Sequence, residues 1–333
     1  MKRVEVTAPS TIDGMRIIEC DIPKPAPGEV LLKVKASSLN FHDYLVVTGA
    51  LKTVEGRVPL SDGVGEIVEI GAGLTRFAVG DSAMGVFFPK WIDGPATKEK
   101  VALMRGDQVD GFAAEYVAID AETLTRTPRG MSDIEAATLP CAALTAWRAL
   151  FVEGQLKPGD FVLVEGTGGV SIFALQFARM AGARVIALSS ASEKIRRLKE
   201  LGAEAVINYT ETPEWGAAVH ELADGRGVDI AIEVVGGDLT QTMSAQRLGA
   251  RTALIGALSR KPINYASMFA IVGNRAVSGL TVASRSDQED MIRAIEANGL
   301  RPVIDRSFKL DEIKEAFRYQ ETKKYFGKIA LSF

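Results

Sequence analysis

A glycine-rich turn between a buried strand and an amphipathic helix restricts the fold of this chain more than any other feature. Residues 161–164 read FVLV, a continuous apolar run typical of strands buried on both faces. The run leads into the turn GTGG at 166–169, and the apolar residues that follow recur at helical spacing. Strands and helical stretches then alternate, with further strands predicted at 184–188, 205–208, 228–235 and 251–255. This alternation predicts a doubly wound parallel sheet with helices on both faces.

The same turn predicts a site for a dinucleotide. The absent side chain at Gly166 permits a tight turn, and its absence at Gly168 lets the backbone approach a pyrophosphate. The pyrophosphate would then meet the free N–H groups at the helix start, around Gly169 and Val170. Ser171 occupies the third glycine position of the pattern, where it is small enough for close packing but departs from the strict motif. A glycine-rich turn with a purely structural role is the alternative.

The end of the second strand of this sheet bears on the choice of cofactor. An acidic residue there would hydrogen-bond the adenosine ribose of NAD. This chain instead has Ser189 and Ser190, with Lys194 close behind, and two hydroxyls plus an ammonium can hold a 2′-phosphate. We therefore expect NADPH to be preferred over NADH, although Glu193 in the same segment argues the other way.

The length of 333 residues predicts two domains. Residues 1–125 read as short strands separated by turns, for example where Val30, Leu32 and Val34 alternate with other side chains. Residues 126–284 contain the glycine-rich turn and the predicted parallel sheet. Residues 285–333 alternate helices with short strands and have no phosphate loop, so we expect them to return to the first domain. The predicted fold class is α/β.

Composition excludes several classes of function. Lys and Arg number 39 against 42 Asp and Glu, a net charge of −3, which provides no basic surface for nucleic acid. No apolar run approaches the roughly 18 residues that cross a bilayer, and the start of the chain does not read as a secretory signal. We therefore expect a cytoplasmic protein without a membrane partner. Two cysteines and two histidines, none spaced as a metal clip, argue against a structural zinc.

Three motifs together resemble a known family. They are GTGGVS after the buried strand, LPCAALTAWRAL shortly before it, and FGKIAL near the end. The chain in this respect resembles the medium-chain dehydrogenase/reductase superfamily, and most of all its zinc-free, quinone-oxidoreductase-like branch, often labelled generically as NAD(P)-dependent alcohol dehydrogenases. The resemblance implies a GroES-like catalytic domain at 1–125, completed by 285–333, and a Rossmann domain at 126–284.

The resemblance also bears on the metal. Zinc-using members have a cysteine in the segment that contains Asn40, a His-Glu pair where this chain has Ser61 and Asp62, and a third ligand at Cys141. One thiolate cannot hold a tetrahedral zinc, so we expect no zinc. Without a Lewis acid, the expected reaction is hydride transfer to an electrophilic acceptor, either a quinone or an α,β-unsaturated carbonyl. Candidate catalytic residues are Asn40, which matches quinone-reductase relatives, and the possible donors Tyr44 and His42.

Further cofactor contacts are implied by the resemblance or by strand ends. These residues are Thr145, Asn208, Tyr209, Val235, Gly236, Ile255, Gly256 and Lys328. The strand-like segment 276–282 would lie at the sheet edge, where relatives pair two subunits, so we expect a homodimer.

Two other functions stay open at the level of sequence. One is an alcohol or aldehyde dehydrogenase with a non-standard zinc site. The other is a non-catalytic NADPH-binding protein, because an intact glycine-rich turn supports binding alone.

Overall fold

The computed structural model describes residues 1–256 and 258–333. The chain forms two compact units. Unit 1 comprises residues 1–144 and 282–333, and unit 2 comprises residues 145–281. The predicted mixed α/β fold, with a β-rich part and a parallel-sheet part, is confirmed.

Unit 2 is built on a six-stranded sheet in the order β10-β9-β8-β11-β12-β13, and every pairing is parallel. Its strands are β8 (Phe161–Glu165), β9 (Arg184–Ser189), β10 (Ala205–Asn208), β11 (Val228–Glu233), β12 (Gln246–Leu254) and β13 (Ala276–Gly279). Its helices are α4 (Gly169–Met180), α5 (Ser192–Glu200), α6 (Trp215–Leu222), α7 (Thr240–Ser244) and α8 (Ser267–Val272).

The two central strands of unit 2 explain its topology. Every residue of β8 and of β11 is buried, as the continuous apolar run predicted for β8. The chain leaves β8 towards β9 and leaves β11 towards β12, so the strand order reverses between them. The carboxyl ends of strands at such a reversal form the ligand crevice of an open α/β sheet.

Unit 1 contains a seven-stranded sheet with strands from both ends of the chain. Its main path runs β14-β15-β3-β4-β5-β7, β6 pairs with β3, and β1 and β2 form a separate pair. The strands are β1 (Lys2–Glu5), β2 (Arg16–Glu19), β3 (Glu29–Ser38), β4 (Val64–Ile70), β5 (Ser82–Gly85), β6 (Tyr116–Asp120), β7 (Leu124–Arg126), β14 (Ile304–Lys309) and β15 (Lys328–Ser332).

The helices of unit 1 are short, except for α9. They are α1 (Phe41–Val47), α2 (Asp133–Ala136), α9 (Arg285–Asn298) and α10 (Ile313–Glu321). 3₁₀ turns lie at Ala121–Thr123 and Leu310–Glu312. The segment around the unit boundary has α3 (Leu144–Trp147) with a π-helical stretch on each side, Leu139–Ala143 and Arg148–Glu153.

The boundary between the units lies later in the chain than the predicted position after residue 125. Segment 126–144 belongs to unit 1, where Ser132 and Glu135 form a capping box at the start of α2. Arg301 contacts the Glu135 carboxylate at 3.4 Å, and the Arg129 N–H donates to Glu296 at 2.8 Å. These contacts join segment 126–144 to the C-terminal part of unit 1, and a local sequence pattern does not reveal them.

Several strands of unit 2 also differ from their predicted bounds, β12 and β13 the most. β12 begins at Gln246, ahead of the predicted 251. It passes through Gly249, which has a φ of +74°. A glycine at this place in the sequence indicates a turn, although here it lies within the strand. β13 ends at Gly279 rather than at 282. As predicted, β13 lies at the edge of its sheet. No helix among residues 1–256 and 258–333 is long and apolar enough to cross a membrane.

Phe112 provides a test of packing in unit 1. Its ring is fully buried and lies against two glycines, so that a Cβ atom on Gly63 would stand 2.1 Å from the ring and one on Gly85 would stand 2.3 Å from it. Gly63→Ala should lower the free energy of unfolding by about 1–3 kcal/mol, because the ring cannot move without disturbing the core. Chemical denaturation measures this loss. The control is Gly279→Ala, where a Cβ atom would meet open space, and an equal loss in both variants would contradict the prediction.

Candidate active site

A buried polar cluster in unit 1 begins at the first turn of α1. Asn40 precedes the helix in an extended conformation, and its backbone N–H donates to the Asp43 carboxylate at 2.8 Å. The other Asp43 oxygen accepts from the backbone N–H of Ser61, also at 2.8 Å. Asp43 is 1% exposed. Its carboxylate therefore fixes the helix start against the loop that precedes β4.

The Asn40 side chain is at the centre of this cluster. Its amide nitrogen donates to Asp62 at 2.8 Å and to the Ser61 hydroxyl at 3.2 Å. Its amide oxygen accepts from the Lys328 ammonium at 2.5 Å. The same ammonium donates to the Leu39 carbonyl at 2.8 Å and lies 3.7 Å from the Asp62 carboxylate. Both N–H groups of the Asn40 amide thus have acceptors within unit 1.

Asp62 is the most buried carboxylate of the cluster. One of its oxygens accepts from the Ser38 hydroxyl at 2.7 Å as well as from Asn40, and the other has no hydrogen-bond partner in the described parts of the chain. Burial raises the pKa of Asp62 to about 6, the Lys328 ammonium opposes this rise, and the Asp43 charge adds to it. The carboxyl group therefore titrates close to neutral pH.

These residues do not fit zinc. Cys141 lies in the π-helical stretch Leu139–Ala143, and burial together with the Asp62 charge raises the pKa of its thiol well above the usual range. Asn40 and Ser61 offer an amide and a hydroxyl where zinc sites use thiolate, imidazole or carboxylate. Within residues 1–256 and 258–333, no group of three or more His, Cys, Asp or Glu side chains is arranged to hold a metal ion.

The two other candidate catalytic residues lie on α1 outside the hydrogen bonds of this cluster. The His42 ring packs edge-on against Phe87, with ring centroids 5.2 Å apart. The Nε2 atom of His42 is buried and has no hydrogen-bond partner among the described residues. The Tyr44 hydroxyl donates to the exposed Glu321 carboxylate at 3.0 Å. Of the three predicted catalytic residues, only Asn40 lies in the buried cluster.

Lys328 is also among the predicted cofactor contacts. Its side chain is 3% exposed, and its ammonium contacts Leu39, Asn40 and Asp62. Because these contacts hold the ammonium inside unit 1, they support a role in charge balance within the cluster.

In unit 2 the glycine-rich turn has the geometry that its sequence predicts. Gly166 adopts a φ of +75°, which favours glycine, and a Cβ atom on Gly166 or Gly168 would meet no atom within 4 Å. α4 starts at Gly169, directly beside this open space, and includes Val170. The Ser171 hydroxyl donates to the backbone carbonyl of Glu165 at 2.7 Å, so it ties the helix to the strand end. The turn and helix start fit a bound pyrophosphate.

The predicted adenosine-end residues come together at the ends of β9 and β10. Ser189 pairs in register with Asn208, and the Tyr209 hydroxyl donates to the Ser190 hydroxyl at 3.1 Å. Lys194 lies in the first turn of α5. Glu193, the residue that argued for NADH, is ion-paired with Arg196 at 2.6 Å on the same helix. Thr145 is buried in α3.

Glu233, which the sequence patterns did not predict as a site residue, organises the remaining predicted cofactor contacts. Its carboxylate accepts from the backbone N–H groups of Val235 at 2.8 Å and Gly236 at 2.9 Å. Its backbone carbonyl accepts from Ile255 at 2.8 Å and, more weakly, from Gly256 at 3.4 Å. The available signal was an acidic residue that ends a strand directly after three apolar residues, Ile230, Ala231 and Ile232.

Comparison with known proteins gives the family. A model described as an alcohol dehydrogenase GroES-like domain matches residues 26–129, and one described as a zinc-binding dehydrogenase matches residues 169–297. The chain is 40% identical over 334 residues to a zinc-type alcohol dehydrogenase-like protein of Schizosaccharomyces pombe, with 97% of this chain and 96% of the relative covered. The chain belongs to the medium-chain dehydrogenase/reductase superfamily. The superfamily predicted from the motifs is thereby confirmed, and the chain is an oxidoreductase of that superfamily.

Other members of the superfamily match over nearly the whole chain. A solved structure from Sinorhizobium meliloti 1021 superposes with a TM-score of 0.94 at 34% identity, covering 100% of this chain and 98% of that one. An acryloyl-coenzyme A reductase of Metallosphaera sedula is 29% identical, with 96% of each chain covered. The structure of a 2-octenoyl-CoA carboxylase reductase in complex with NADP and 2-octenoyl-CoA has a TM-score of 0.86 at 25% identity, covering 99% of this chain and 87% of that one.

Removal of the buried ammonium tests the unit 1 cluster. Lys328→Met should lower the free energy of unfolding by about 3–5 kcal/mol at pH 8, because it leaves the buried Asp62 carboxylate without its cation. The loss should be smaller at pH 5, since Asp62, whose pKa is already raised to about 6, is then protonated. Chemical denaturation at both pH values provides the measurement.

The control for this variant is Lys2→Met. Lys2 forms an exposed ion pair with Asp311 at 3.0 Å, and solvent screening should make its removal nearly neutral at either pH. A Lys328→Met loss that is equally small, or that does not depend on pH, would contradict the account of the cluster.

Proposed function

We propose that this protein is a zinc-independent, NADPH-preferring reductase that transfers hydride to an electrophilic acceptor, an α,β-unsaturated carbonyl compound or a quinone. The observation that carries the proposal is the chemistry of the buried cluster in unit 1. Asn40 and Ser61 stand at positions where zinc-using relatives have metal ligands, and the Asn40 amide donates to both the Ser61 hydroxyl and the Asp62 carboxylate. Such a site lacks the ligands that would provide a Lewis acid for the ionisation of an alcohol.

A conjugated acceptor needs little help beyond position and a hydrogen bond. The nicotinamide cofactor supplies the hydride when bound. Addition of that hydride to the β-carbon would form the new C–H bond and shift the C=C electrons towards the carbonyl oxygen as an enolate, and the α-carbon would then take a proton from water. The Asn40 amide donates to Ser61 at 3.2 Å, the longer of its two donated hydrogen bonds. A substrate oxygen that replaces the Ser61 hydroxyl would accept this N–H group.

Relatives support the conjugated carbonyl over the quinone. The acryloyl-coenzyme A reductase and the 2-octenoyl-CoA carboxylase reductase are both named for enoyl thioesters. The latter was solved with NADP, which agrees with the expectation from Ser189, Ser190 and Lys194. We therefore place enoyl thioesters first among the acceptors to be tested, followed by 2-alkenals and quinones.

An alcohol or aldehyde dehydrogenase with a non-standard zinc site is the second candidate. The zinc-type name of the Schizosaccharomyces pombe relative favours it, and so does Cys141, which stands where zinc-using members have a ligand. A non-catalytic NADPH-binding protein is the third candidate. It would bind NADPH yet oxidise it with none of the acceptors.

Metal content and a cysteine variant separate the first two candidates. The purified protein should contain far less than one zinc per chain and should retain its NADPH oxidation with enoyl thioesters after treatment with a chelator. Cys141→Ser should keep its rate within about fivefold of the parent, since the neutral thiol has no metal to hold. Stoichiometric zinc, or loss of both metal and activity in Cys141→Ser, would establish the zinc dehydrogenase instead.

Replacement of Asn40 tests its part in the reaction. Asn40→Ala should lower kcat by about a hundredfold to a thousandfold, the usual effect of losing one oriented donor. The dissociation constant for NADPH should change by less than about tenfold, because Asn40 is expected to act on the acceptor. Steady-state kinetics and fluorescence titration measure the two effects. The control is Asn298→Ala, at the end of α9, which should leave kcat unchanged. An unchanged kcat in Asn40→Ala would show that Asn40 takes no part in the reaction.

A further inference from the structure

Two glutamates stand side by side at the ends of the two central strands of unit 2. Glu165 is the last residue of β8 and Glu233 is the last residue of β11. The strands are hydrogen-bonded neighbours in parallel register, with Val164 opposite Ile232, so the two glutamates are the next pair along the ladder. They are 6% and 2% exposed. The pair therefore lies buried where the strand order reverses.

The surroundings of the pair require a proton on one of its members. The Glu233 carboxylate accepts from the backbone N–H groups of Val235 and Gly236, which favours its charged form. The Thr242 hydroxyl lies 3.2 Å from Glu165 and 3.0 Å from Glu233, and its single proton can serve only one of them at a time. The two carboxylates therefore meet at this one hydroxyl, at the ends of neighbouring parallel strands.

Burial and the neighbouring Glu233 charge raise the pKa of Glu165 well above its usual range. Two buried like charges in contact are strongly unfavourable, whereas one shared proton turns the contact into a charge-assisted hydrogen bond. Among the described residues, the other hydrogen-bond and ladder partners of Glu165 do not ionise: they are Thr242 on α7, Ser171 on α4 and Leu188 on β9. The charged group that acts on Glu165 is Glu233.

We propose that Glu165 and Glu233 share a single proton, and that the protonated pair positions the turn after β11 for the dinucleotide. Glu233 holds this turn through Val235 and Gly236, and the Glu165 proton holds Glu233 in place. The inference rests on the proposed use of a dinucleotide cofactor. Both glutamates are positioning residues, since neither needs to touch the cofactor.

Loss of the shared proton should weaken cofactor binding in two ways. The repulsion between two carboxylates would displace the turn after β11. An ionised Glu165, which directly precedes Gly166, would also place a negative charge close to the predicted pyrophosphate position. Both effects act in the same direction, so the dissociation constant should rise with pH. If binding raises the pKa of Glu165 by one unit, the dissociation constant changes by about tenfold across the titration.

The same proton predicts the pH dependence of stability without any cofactor. An unfolded glutamate loses its proton at an ordinary carboxyl pKa, whereas folded Glu165 keeps it to higher pH. The folded state therefore binds the extra proton, and Glu165 makes stability fall as pH rises above the ordinary carboxyl pKa, up to its raised pKa. Glu165→Gln keeps an N–H donor towards Glu233 and cannot ionise, so its melting temperature should rise relative to that of the parent as pH increases.

The experiment compares the parent protein with Glu165→Gln, Glu233→Gln and Glu221→Gln between about pH 6 and pH 9. Each protein is melted without cofactor and is titrated with NADPH. In the parent, the NADPH dissociation constant should rise by about tenfold with pH; in Glu165→Gln it should stay within about twofold. Glu233→Gln should shift the transition to lower pH, because burial alone then acts on Glu165. The control Glu221→Gln removes an exposed charge from α6 and should behave as the parent. A parallel titration with NADH shows that the 2′-phosphate is not the titrating group.

Thermal melting and cofactor titration test separate parts of the proposal. Equal pH dependence of melting in the parent and Glu165→Gln would overturn the shared proton. A melting difference without any change in the pH dependence of the dissociation constant would overturn the positioning role. If neither NADPH nor NADH binds at any pH, the proposed function fails, while the melting data still decide whether the proton is shared.

Discussion

The buried contact among Asn40, Asp62 and Lys328 is the interaction on which unit 1 depends. It joins the start of α1, the loop before β4 and the first residue of β15, three segments that lie far apart in the chain. A buried ion pair contributes little net stability, but the loss of one partner leaves the other charge uncompensated. The cluster therefore fixes the arrangement of these segments more than it adds to their stability, and it provides the polar surroundings in which Asn40 is proposed to act.

Unit 2 also contains buried carboxylates whose charge must be balanced, and there we propose that a proton has the role that the Lys328 ammonium has in unit 1. The carboxyl ends of β8 and β11 are where the anionic cofactor is proposed to bind, and the chain places two acids there. Hydrogen bonds from Val235, Gly236 and Thr242 stabilise one charge. A proton on Glu165 neutralises the other group, so the crevice of the sheet does not carry two negative charges.

The sequence predicted those features that depend on local patterns. The apolar run of β8, the turn at Gly166 and the helix after it follow from hydrophobic spacing and backbone sterics, and the structure confirms them. Ser171 could be read only as a departure from the motif, because its bond to the Glu165 carbonyl depends on the packing of helix and strand.

What the sequence did not predict depends on contacts between distant segments. The sequence predicts Lys328 only as a cofactor contact, and its contacts with Leu39 and Asn40 on other elements cannot be read from local sequence. Glu165 and Glu233 become neighbours only through the parallel pairing of β8 and β11. The unit boundary after Leu144 depends on contacts of α2 with the C-terminal part of the chain, which no local composition change marks.

The sheet of unit 1 has a consequence for the order of events during protein synthesis. Unit 2 is one continuous stretch, 145–281, and all its strands leave the ribosome before β15 does. β3 must wait for β15, because the two pair side by side although one lies near the start of the chain and the other near its end. Until Lys328 emerges, the acidic group of Asp62 has no cation to meet. The nascent N-terminal part therefore stays incomplete while the middle of the chain can already fold.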